Sequence, residues 1–202
     1  WEGDWAGAES QLSAARDRAR RAGNRLEEWG IARWLSLVAR LEGRGQEAER
    51  TLDEALALAA GAPFPAGEVA TRVELALIAV QSGAPKPARQ HLGRARELMG
   101  DLGPWRGLAG RLLFTEAVLR AADGHLEEAE GRFGVAIEMF RRYCLPWDEA
   151  EVFHAWGSAL VATGSRISAR RRFDAALSLY ERSGAGASWM ERMRFSGAER
   201  SS

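Results

Sequence analysis

One pattern constrains this chain more than any other: Gly-x4-Ala-x3-Phe-x2-Ala, with leucine allowed for phenylalanine, is written five times. The copies are Gly3, Ala8, Leu12, Ala15; Gly43, Ala48, Leu52, Ala55; Gly83, Ala88, Leu92, Ala95; Gly124, Ala129, Phe133, Ala136; and Gly164, Ala169, Phe173, Ala176. The glycines recur at a nearly constant period. Self-similarity at a fixed period of this size marks stacked supersecondary units, each burying its apolar face against a neighbour.

The spacing defines the unit. Small, large and small residues at i, i+4 and i+7 share one face of an α-helix, so each copy predicts an amphipathic helix with a mostly small stripe. A glycine five residues earlier suits a left-handed residue that ends one helix and reverses the chain into the next. The segments Leu26 to Glu42, Glu68 to Ser82, Arg106 to Asp123 and Trp147 to Thr163 are proline-free and rich in helix formers, which supplies the partner helices. The expected fold is all-α, a right-handed α-solenoid of stacked helical hairpins.

The expected organisation is a single array over 1–202: a half repeat at 1–23, repeats at 24–62, 63–103, 104–145 and 146–184, and a C-terminal capping helix at 185–202. The chain starts only two residues before Gly3, so its first helix, about Ala6 to Ala22, reads as the second half of a hairpin in a longer array. Its stripe of Ala8, Leu12 and Ala15 is then an open face, so this helix is expected either to fray first or to bury the stripe against a second copy of the chain in a homodimer. Gly61 to Gly67 and Gly100 to Trp105 read as loops, with the prolines of the first enforcing an extended path. A short helix is expected from Ser188 to about Phe195, with a frayed tail to Ser202. Phe64, Trp105, Trp147 and Trp189 recur almost in step with the repeat, at the loop-to-helix junctions. They are expected to anchor each hairpin's entry against the preceding second helix.

These residues resemble the tetratricopeptide repeat, with its small residues at positions eight and twenty, an aromatic or leucine at twenty-four and alanine at twenty-seven. The last repeat carries nearly the whole consensus in Phe153, Trp156, Gly157, Leu160, Gly164, Ala169, Phe173 and Ala176. Glu116, Arg120 and Arg72 depart from it, and the period is longer than is usual for the family. The resemblance implies a concave groove lined by first helices. Carried over, the groove residues that meet a ligand or partner are Arg33, Leu37, Arg40, Val73, Leu77, Gln81, Arg111, Phe114, Val118, Glu151, His154 and Ser158.

Composition narrows the function classes. The 28 basic and 28 acidic residues balance, so no electrostatic footprint for nucleic acid is present. No apolar run approaches membrane-spanning length, so a cytoplasmic, soluble chain is expected. His91, His125 and His154 lie in different repeats, away from other ligands, so no metal or other cofactor is expected. Cys144, the single cysteine, reads as a small apolar filler near a helix end. The carboxylate pairs Glu27–Glu28, Glu127–Glu128 and Asp148–Glu149 read as first-turn or solvated acids that complement the helix dipole. No catalytic residues are expected; the chain is read as a non-enzyme.

Phe173 to Arg192 is similar to the segment that closes the repeat region of large bacterial regulators of the LuxR type, in which an ATPase precedes the repeats and a helix-turn-helix domain follows. The implied function is a protein-interaction or effector-sensing region of a multidomain signalling or transcriptional regulator. A generic scaffold or adaptor, and an accessory domain of an enzyme, are the alternatives. The expected partners are a protein or peptide segment or a small effector, and flanking domains of a longer chain.

Overall fold

The computed structural model describes residues 4–60, 64–102, 105 and 107–198, with the backbone alone at 101, 102 and 195–198. Among these are α1 (Trp5–Arg21), α2 (Arg25–Leu41), α3 (Gly45–Ala60), α4 (Pro65–Gln81), α5 (Pro85–Leu102), α6 (Leu108–Ala122), α7 (Leu126–Arg142), α8 (Pro146–Ala162), α9 (Arg166–Arg182) and α10 (Ala187–Ala198). No strand occurs among the described residues. The hairpins are α2–α3, α4–α5, α6–α7 and α8–α9, each packed along its length.

Local chemistry sets the ends of these helices. The Asp4 carboxylate accepts the Gly7 N–H at 2.9 Å and the Asn24 side chain accepts the Glu27 N–H at 3.1 Å, capping α1 and α2. Four signature glycines, Gly43, Gly83, Gly124 and Gly164, have φ of 80°, 71°, 86° and 81°, the left-handed values their spacing demanded. The fifth, Gly3, lies outside the described residues.

Several boundaries differ from expectation. Helix α4 starts at Pro65, because proline's fixed φ and missing N–H suit the first helical position, so this proline opens a helix and does not extend a loop. Helix α5 runs through Gly100 to Leu102, where a loop was expected. Cys144 is exposed at φ 53°, in the left-handed turn that follows α7, and is therefore no apolar filler. The expected frayed tail, 199–202, lies outside the described residues.

The chain divides into two compact units, one of α1–α5 (Asp4–Trp105) and one of α6–α10. In the first, Ala39, Ala48, Leu52, Leu75 and Ile78 form a core from α2, α3 and α4, with Leu56 against it. The Ser36 hydroxyl donates to the Ala48 carbonyl at 3.0 Å, satisfying a buried polar group at the hairpin's tight crossing. In the second unit, Phe133 stacks on Trp156 at 5.6 Å and meets Phe114 at 6.4 Å. Gly157 leaves room for Phe173, whose ring lies 2.8 Å from where a Cβ would stand. Across the four complete hairpins the signature stripe is at most 6% exposed. Full burial of each leucine or phenylalanine there contributes about 1.5–3 kcal/mol.

The junction aromatics do not share one role. Trp147, Tyr180 and Trp189 form a cluster with ring centroids 4.8–5.6 Å apart, so Trp189 of α10 does seat on the preceding second helix. Phe64 instead packs edge-on against Trp29 of α2 at 5.0 Å, and Trp105 is 46% exposed. Not every carboxylate pair is solvated. Glu28 and Glu149 are buried at the starts of α2 and α8, where Arg20 and Arg141 of the preceding helices reach them at 3.1 Å and 2.7 Å. Both bridges join a second helix to the next first helix at equivalent repeat positions; Arg16 also stands 3.9 Å from Glu28, so that buried acid is flanked by two arginines.

Candidate functional site

The site residues sort by the unit that holds them. In the first unit Arg33 of α2 donates to Glu74 of α4 and lies 5.0 Å over the Trp29 ring, while Trp29 Nε1 donates to Thr71 Oγ1 at 2.9 Å. These contacts tie two consecutive first helices together. Leu37 and Arg40 are half-buried on α2 and Gln81 is exposed at the end of α4. Val73 and Leu77, by contrast, are 1% and 3% exposed and belong to the core. Helix α4 packs against α2, α3 and α5, which leaves it a narrower open face than a fixed position in the repeat implies.

The second unit repeats the device. Arg111 of α6 donates to Glu151 and, at 3.4 Å, to Asp148 of α8, and lies 5.5 Å from the Phe114 ring. Phe114 is 2% exposed because its ring turns inward onto Phe133, so it too is core and not groove wall. Val118 is half-buried on α6. His154 sits 5.3 Å from the Phe173 ring of α9, and the Ser158 hydroxyl donates to the His154 carbonyl at 3.1 Å. Both are half-buried.

The first helices thus carry an arginine–carboxylate rung in each unit. Glu74 follows Arg33, and Glu151 follows Arg111, by one repeat length. Opposite charge at that separation was the sequence signal for Glu74, which the carried-over positions missed, whereas Asp148, 37 residues after Arg111, carried no such signal. The rungs engage the two arginines electrostatically before any ligand arrives. A partly exposed pair of this kind contributes little to stability, about 0–1 kcal/mol.

A larger omission lies on α2. Leu26, Gly30 and Trp34 fall with the expected groove residue Leu37 at i, i+4, i+8 and i+11 on the side of the helix turned away from Glu28 and Ser36, which face α1 and α3. Leu26 and Trp34 are each 56% exposed. An exposed tryptophan beside a leucine, with glycine between them, offers an apolar platform where a ligand backbone can approach closely. Their apolar character at helical spacing is visible in the sequence, but it reads equally well as core.

Among the described residues no group of His, Cys, Asp and Glu could hold a metal ion, and no helix is long and apolar enough to cross a membrane. No protein-family model matches the chain, and no curated protein matches it by sequence. It is similar to the crystal structure of BtubC (BKLC) from P. vanneervenii, with a TM-score of 0.59 and 17% identity over 95% of this chain and 91% of that one. At that identity the likeness shows the fold alone.

Proposed function

We propose that this chain is a tetratricopeptide-type interaction region that binds a protein segment through its first helices, within a cytoplasmic bacterial signalling or transcriptional regulator of the LuxR kind. The observation that carries the reading is the α2 platform of exposed Leu26 and Trp34 with half-buried Gly30 and Leu37. Arg33 and Arg111 already hold carboxylates of neighbouring helices, so the anchor is apolar and a ligand acid adds orientation more than affinity. Binding regulates flanking domains only if the ligand has different affinity for their two arrangements.

A displayed library of random dodecapeptides tests this. Binders are expected to carry an aromatic or leucine anchor and to lose about tenfold or more in affinity when Trp34 becomes alanine. Binders indifferent to Trp34 and Leu26, or no binders at all, would overturn the platform as the site. The reading frame around the chain separates the regulator from its alternatives: a helix-turn-helix domain downstream supports it, flanking catalytic motifs make the chain an enzyme's accessory domain, and neither leaves a scaffold.

A further inference from the structure

Helix α7 lies within the second unit, packed on α6 before it and on α8 after it. Glu127, Gly131, Gly134, Val135, Glu138 and Arg142 fall on its outer side, turned away from the buried Ala129, Phe133, Ala136 and Phe140. Gly134 is half-buried and the other five are exposed, Val135 by 47%. The other complete hairpins hold Arg50, Gln90 and Arg171 in the place of Gly131, and Glu54, Arg94 and Ala175 in the place of Val135.

Glycine inside a helix is destabilising relative to alanine, and an outward valine is a weaker helix former than its counterparts. Elsewhere in this unit the helical glycines Gly110 and Gly157 have an internal reason, since a Cβ there would stand 2.9 Å and 2.8 Å from the Phe140 and Phe173 rings. Gly131 and Gly134 have none: neither has a positive φ, and nothing lies within 4 Å of where a Cβ would stand. Glycine suits a place where another backbone comes close. The charges of α7 divide in the same way. Glu128 pairs with Arg120 and Arg132, Glu130 accepts from Trp156 Nε1 and Arg141 reaches Glu149. Glu127, Glu138 and Arg142, on the outer side, make no ion pair or side-chain hydrogen bond among the described residues.

Reversed, this stripe complements itself. About the bond between Gly134 and Val135, Glu127 mirrors Arg142, Gly131 mirrors Glu138 and Gly134 mirrors Val135. A twofold interface demands this relation, because residue i must meet j while j meets i. Among the second helices only α7 joins acids in its first turn to bases in its last. We propose that the outer face of α7 is an interface between two copies of this chain, packed antiparallel about a twofold axis at Gly134 and Val135. Two Glu127–Arg142 pairs close its ends, and between them the longer side chains, Val135 and Glu138, enter the open space over the partner helix's glycines. A single helix pair lies at the low end of interface sizes, so the dimer is weak and forms only at high concentration. This surface uses neither the α2 platform nor the stripe of α1, and does not depend on the function proposed above.

Sedimentation equilibrium of the intact chain, from about 1 µM to 1 mM, is expected to show a monomer–dimer equilibrium that added salt weakens. Gly134→Leu, whose Cβ meets open space in the monomer, and the single reversals Glu127→Arg and Arg142→Glu are each expected to weaken it about tenfold or more. Combining the two reversals in one chain restores the mirrored pairs and is expected to restore the dimer. Mixing the two single variants is likewise expected to give a heterodimer, since one chain then presents two arginines to the other's two glutamates. Leu12→Arg on α1 should leave the equilibrium unchanged. Circular dichroism checks that every variant folds. A chain that stays monomeric throughout the series, a dimer that keeps its strength in the α7 variants or loses it in Leu12→Arg, or reversals whose combination and mixture both fail to recover the dimer would each overturn the proposal.

Discussion

Cys144 holds φ 53° in a turn where equivalent positions after α1 and α9 carry Gly23 and Gly184 at 67° and 77°. A left-handed residue with a Cβ costs roughly 1–2 kcal/mol, offset in part by glycine's larger unfolded-state entropy, so Cys144→Gly is expected to stabilise the protein by about 0.5–1 kcal/mol, read as a raised denaturation midpoint. His91 makes a second residue-scale prediction. Burial on α5 disfavours its charged form, and the Arg72 guanidinium adds to that, while Asp53 and Glu49 oppose it, so its pKa is lowered in the folded state. The unfolded chain then binds the proton more readily, and stability contributed above pH 6.5 is lost as pH falls through the lowered folded pKa. Replacing His91 with glutamine is expected to flatten that part of the stability profile; an unchanged pH dependence would assign it elsewhere. The glycines were legible at this scale because positive φ has few other solutions. Cys144 was not, since nothing in its neighbours' identity announces a strained turn.

Helices and their pairing were the most readable level, because a stripe repeated five times cannot serve two periodicities. What the spacing left open was which first-helix residues stay outside. Val73 and Leu77 went inward on α4, which packs against α2, α3 and α5, and Phe114 went inward because its ring meets Phe133 of α7, a property of the packing and not of any one helix. Trp34 and Leu26 stayed out although α2 also has three neighbours, α1, α3 and α4, because they lie on the side that those leave open. Glu28 and Glu149 looked like solvated first-turn acids until the arginine one helix earlier was seen to reach them. The small stripe itself gives the element-scale prediction. Ala169 is 0% exposed at the crossing of α8 and α9, and Ala169→Leu is expected to overpack that hairpin at a cost of about 1–3 kcal/mol, seen as a lowered thermal midpoint with helicity kept at low temperature. A variant that melts like the parent would mean that the helices can part without loss.

At the scale of the molecule, hairpin stability is expected to accumulate from each repeat and its nearest neighbours, not from one shared core. Each compact unit closes its own stripes: α3 and α5 are covered within the first, α7 and α9 within the second. Their fillings differ. The second unit buries Phe114, Phe133, Phe140, Phe153, Trp156, Phe173, Tyr180 and Trp189, whereas the first relies on alanine, leucine, valine and isoleucine. Aromatic rings bury about 150–250 Å² each and gain further from ring–ring geometry, so the second unit has more apolar area to lose on unfolding. Made separately, fragments 4–105 and 106–202 are both expected to give helical circular dichroism and cooperative melts, with the second melting higher and showing the steeper denaturant dependence that greater buried area implies. In the intact chain the same order should appear as two transitions, or as one whose early part reports the first unit. A 106–202 fragment that melts below 4–105 would show that ring packing does not set the stability order, and an unfolded fragment of either kind would mean that its hairpins cannot close without the other unit.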